Sequence, residues 1–100
     1  MNPADDADHF VAIARMGIDA ETFMRSPVGR FIEGKARAEE ADATEALIAA
    51  DPDDLKANRD LRNQIHVARM FLVWIADAVS AGHAAHAQLQ EMDELARSNR

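Results

Sequence analysis

The chain has 100 residues, no cysteine, and 18 acidic against 11 basic side chains, for a formal charge of −7. That length holds one domain, and without cysteine there are neither disulfides nor thiolate metal sites. Of the 48% apolar residues, 21 are alanine, so few large side chains remain to build a core.

The first segment reads as the opposite of a secretory signal, whose start is basic and then apolar, and none is expected: here Asp5, Asp6, Asp8, Asp19 and Glu21 face Arg15 alone. Asn2-Pro3 predicts the start of a helix over about Ala4–Met16, with the acids near its positive end. Gly17 fits its stop. Asp19 then caps a short helix, Ala20–Arg25, with Ile18 and Phe23 at the two positions of a hydrophobic staple.

Ser26-Pro27 reads as an N-cap with proline at the first helical position, opening a helix to about Ala50 with a seam of Val28, Ile32, Ala36, Ala43, Leu47 and Ala50. Asp51-Pro52-Asp53-Asp54 is the sharpest boundary. Asp51 is expected to cap, and Pro52 to open a last helix running at least to Ala81. From there the helix continues, or is kinked at Gly82, as far as Arg97, and Ser98 to Arg100 is expected to fray. Period-two alternation and Asn-Gly or Asp-Gly hairpin turns are absent. The fold class is therefore all-α: a long antiparallel helical hairpin with a shorter N-terminal helix, as a three- to four-helix bundle or an oligomeric coiled-coil-like assembly.

The last helix carries most of the information. Leu61, Ile65, Ala68, Leu72, Ile75 and Val79 alternate by four and three, as in a coiled-coil seam. The spacing continues through Gly82, His86, Leu89, Asp93 and Ala96. A second seam lies beside it: Val67, Phe71, Trp74, Ala78, Ala81 and Ala85, with Met92 and Leu95 further on. Met70 and Val73 add a third apolar edge. A helix facing one neighbour needs an apolar arc of about 100°; this one exceeds it, so it needs cover on at least two sides. The helix from Pro27 spans roughly 36 Å and the last one nearly twice that. The distal part, with Leu89, Met92 and Leu95, is thus expected to lie beyond the hairpin and to meet another chain, or else to fold back at Gly82. Met70, Phe71, Trp74, Leu89, Met92 and Leu95 are the candidate interface residues, and the expected partners are a second copy or a larger protein.

Other chemistry is thinly represented. The basic residues are dispersed among acids rather than gathered in the stripe a nucleic-acid binder carries. The apolar run Val67–Val79 contains Arg69 and Asp77, and its 13 residues are too few to span a bilayer; a soluble intracellular protein is expected. His83 and His86, three apart, can contribute to a zinc site, but further ligands are needed, and no cofactor is expected. Ser80 lies three residues from both Asp77 and His83 but lacks an oxyanion hole. Gly29 to Ala36 departs from a phosphate loop: no strand precedes it, and Ala36 stands after the lysine where Ser or Thr is needed. No enzymatic activity is expected.

The runs Phe23-Met24-Arg25-Ser26-Pro27-Val28-Gly29-Arg30-Phe31-Ile32, Asp51-Pro52-Asp53, Phe71-Leu72-Val73-Trp74-Ile75 and Ala81-Gly82 resemble small helical proteins encoded among the structural genes of tailed bacteriophages, over about residues 19 to 90. The resemblance implies a virion or assembly role, at capsid, portal or tail, in the host cytoplasm or the virion. It rests on caps and core positions, so it carries no functional residue with it. A different expectation follows from the charge of −7: an acidic inhibitor or decoy that occupies a basic surface of another protein.

Overall fold

The computed structural model describes residues 3–99, which form three helices: α1 (Pro3–Arg25), α2 (Pro27–Ala49) and α3 (Leu55–Ser98). No strand occurs among the described residues, and the protein is all-α. Asn2, expected to start the first helix, and Arg100, in the segment expected to fray, lie outside the described residues.

At Gly17 the helix boundary differs from the sequence expectation, and at Gly82 the continuous alternative holds. α1 runs unbroken through Gly17 and Asp19, where a stop and a fresh cap were expected, so one helix of 23 residues replaces two. α3 likewise passes through Gly82 without interruption, for 44 residues. The physical reason is the same at both glycines. A Cβ on Gly17 would lie 2.7 Å from the Gly82 Cα, and one on Gly82 would lie 2.7 Å from the Gly17 Cα. Glycine is present because two backbones touch there, and neither residue adopts positive φ.

α2 starts as capping chemistry dictates. Ser26 holds an extended backbone, and its Oγ accepts the Gly29 N–H at 3.0 Å, with Pro27 in the first turn. Ser26→Ala is expected to cost about 1 kcal/mol, read as a lowered midpoint in urea unfolding followed by circular dichroism. α3 begins three residues later than Pro52. Asp51 closes a turn by accepting the Asp53 N–H (2.9 Å), and Asp54 is the side chain that caps, accepting the Ala57 N–H at 3.1 Å. Asn58 Nδ2 ties the connection down by donating to the carbonyls of Asp51 and Asp54.

Length alone implies one domain, yet contacts gather in two compact units. α3 is about twice as long as either other helix, and no single neighbour of 23 residues can accompany it throughout. In one unit, α2 packs on α3 up to Trp74. Ala43 and Ala68 are buried, while Ile32, Ala36, Leu47, Ile65 and Leu72 are half-buried. Arg69 Nε donates to Glu40 Oε1 at 2.6 Å across the pair.

In the other unit, α1 up to Phe23 packs on α3 from Ile75 onward. Here Gly17, Ala20, Gly82 and Ala85 are buried, and Leu89 and Met92 are half-buried. The distal part of α3, expected to await another chain or to fold back, is therefore covered by α1, whose Phe10 and Ile13 lie beside Ala84, Ala85 and Gln88.

Candidate functional site

The four buried apolar residues among those described are all alanines: Ala20, Ala43, Ala68 and Ala85. Small side chains let the helices approach closely, but they leave large ones outside. Ile18, Val28, Phe31, Ile48, Leu55, Val67, Trp74 and Leu95 are all at least 60% exposed.

Within the α2–α3 unit, one partly exposed apolar face lies on α3. Val67, Met70, Phe71 and Trp74 follow the spacing i, i+3, i+4, i+7 and so share one side of two helical turns. Val67 is 69% and Trp74 66% exposed, while Met70 and Phe71 are half-buried. The adjacent side, with Ile65, Ala68 and Leu72, is the one turned to α2. Met70, Phe71 and Trp74 are thus brought together. Of the other candidate interface residues, Leu89 and Met92 are half-buried in the α1–α3 unit, and Leu95 is 60% exposed.

Sequence reasoning left Val67 out of the candidate interface, although it belongs to the second seam. It also left out Phe31 of α2, which is 70% exposed. The signal at Phe31 was its place beside the α2 seam rather than in it.

In the α1–α3 unit, a shallow groove is lined by Ala14, Gly17, Ile18, Glu21, Gly82, His83 and His86. Nε2 of His83 lies 2.6 Å from Glu21 Oε1, so the imidazole turns to α1 rather than to Ser80 or Asp77. Among the described residues no group of three or more His, Asp or Glu is arranged to hold a metal ion. His83 and Glu21 act here as a cross-helix contact at a largely exposed edge, where such pairs contribute little. Gly29 and Gly34 lie inside α2, so their amides serve the helix and no phosphate cradle forms.

α3 also contains an 18-residue stretch apolar and long enough to cross a membrane, with 11% of it buried. This differs from the sequence expectation, which counted only the 13 residues of Val67–Val79. No protein-family model matches the chain, and no curated protein or solved structure is significantly similar to it.

Proposed function

We propose that this chain is a non-enzymatic assembly component, a small virion or virion-assembly protein that docks an apolar helix face on a second copy or on a larger structural protein. It works without a cofactor, in the host cytoplasm or in the virion, and meets neither membrane nor nucleic acid directly. The observation that carries this reading is the exposure of Val67 and Trp74 beside Met70 and Phe71, while among the described residues the buried apolar ones are alanines. Exposed apolar patches of this kind mark interaction surfaces, and tryptophan is enriched where binding energy concentrates. The resemblance to phage structural-gene products supplies the setting.

The test is co-expression with capsid, portal and tail proteins of tailed phages, with copurification followed by light scattering at low and high salt. A complex that survives high salt is the expected result, because apolar burial is not screened. A complex lost at high salt would instead support the acidic decoy reading, in which the charge of −7 meets a basic surface. No complex with any of these proteins, and no self-association, would overturn the assembly reading.

A further inference from the structure

We propose that the groove between α2 and the first half of α3 receives an acidic helical segment of a partner protein. This surface is separate from the side bearing Val67 and Trp74, and the proposal goes beyond the assembly reading by giving the chemistry of what is bound.

In chain order the basic residues are mixed with acids, yet on α3 four side chains line up. Arg59, Arg62, His66 and Arg69 are spaced by three, four and three, which sets them within about 80° of the helix circumference and along about 15 Å of its axis. The one acid between Arg59 and Arg69 is Asp60. It points about 100° away from Arg59 and accepts from Lys56 Nζ at 3.3 Å. At the far end of the row, Glu40 of α2 accepts from Arg69 Nε at 2.6 Å. Among the described residues, no carboxylate stands within ion-pair distance of Arg59, Arg62 or His66, and all three are exposed.

Two adjoining hollows run along this row. One, of about 370 Å³, lies between the helices, with Thr44 and Leu47 of α2 facing Arg62, Ile65, His66 and Arg69. The other, of about 490 Å³, continues past Leu55, Arg59 and Arg62 toward the α2–α3 connection. Arg62 lines both, and no acidic residue lines either. In a chain with 18 acids and 11 bases, this is a locally positive groove, and its complement is a ligand bearing carboxylates.

The apolar part of the groove selects a protein among acidic ligands. Leu47 and Ile65 are half-buried and Leu55 is 71% exposed, so aliphatic surface lies beside the cations. A helix with acids at the same spacing sets its carboxylates against the arginines and lays an adjoining apolar stripe on these side chains. It becomes a third helix on a pair whose buried apolar side chains, among the described residues, are those of Ala43 and Ala68. Nucleic acid fits less well. Neither hollow is lined by Phe, Tyr or Trp on which a base could stack, and a charge of −7 repels a long polyanion more than a short segment with a few carboxylates.

The experiment follows the fluorescence anisotropy of a labelled synthetic helical peptide titrated with the full chain. The peptide carries glutamates at the three-four-three spacing, with leucines beside them. Binding at micromolar concentrations in low salt is expected, weakening in high salt as exposed charges are screened. A peptide with glutamine for each glutamate is expected to bind at least about tenfold less tightly. Arg62→Glu is expected to weaken binding of the acidic peptide at least about tenfold, with helicity by circular dichroism unchanged. Arg30→Glu makes the same charge change about 21 Å along α2 from Thr44 and is expected to alter binding less than about twofold. Trp74→Lys is expected to leave it intact. No binding of the acidic peptide, equal binding of the glutamine peptide, or equal loss in Arg62→Glu and Arg30→Glu overturns the proposal. Loss in Trp74→Lys overturns it by moving the peptide to the apolar face. A DNA duplex that binds more tightly than the peptide, and is lost in Arg62→Glu, gives the groove to nucleic acid instead. Each of these failures leaves the assembly reading standing, because that reading is tested at high salt, where this groove is screened.

Discussion

Gly82→Val is expected to be the most damaging single substitution in this chain, destabilising it by about 3 kcal/mol. The new Cβ alone would stand 2.7 Å from the Gly17 Cα and 3.2 Å from its nitrogen. Both atoms are backbone, so no side chain can rotate out of the way. Relief requires α1 and α3 to separate at their closest point, which also loosens Ala20 and Ala85. Gly17→Val meets the same obstacle from the other side, at the Gly82 Cα and the Ala78 carbonyl. Thermal unfolding by circular dichroism reads the effect as a midpoint lowered by more than about 10 °C. Gly34→Ala is the internal control. Nothing lies within 4 Å of its added Cβ, so the better helix former is expected to stabilise by up to about 1 kcal/mol. If valine at 82 unfolds at the wild-type temperature, the two backbones do not cross at these glycines.

Ala43→Leu and Ala68→Leu are expected to follow, each costing about 1–3 kcal/mol. In ordinary cores a larger apolar residue is added area. Here both alanines are buried in the α2–α3 unit, and the space that leucine needs is occupied by the neighbouring helix. The added side chain must push that helix away, straining the Glu40–Arg69 contact between them. Ala38→Leu, on the exposed side of α2, is expected to stay within about 0.5 kcal/mol of wild type. Urea unfolding of the three variants makes the comparison. Leucine tolerated equally at 38, 43 and 68 would show that α2 and α3 are not in close contact at these alanines.

The helical class was legible because alanine content, the missing two-residue period and the missing hairpin turns all act locally. The Ser26–Pro27 start was legible for the same reason, since a cap is complete within four residues: Ser26 Oγ needs only the Gly29 N–H. The Asp51–Asp54 boundary was legible as a place but not in its detail. Four consecutive residues hold three aspartates able to bond the backbone, and the choice of Asp54 as the cap turns on how Asn58 closes the connection. The apolar excess around Val67 to Val79 was legible too, as a demand for more than one neighbour.

Which neighbour meets that demand was decided only in three dimensions. Sequence by itself determined helices, caps and an over-apolar α3; tertiary structure decided that α1 covers its distal half and leaves Val67 and Trp74 outside. The reason lies in glycine. Locally, Gly17 looks like a stop, and Gly82 like either a kink or a residue tolerated within the helix. Their role depends on what lies opposite, and each lies opposite the other, 65 positions away in the chain. No local pattern contains that pairing, and once it forms, it extends α1 and keeps α3 unbroken.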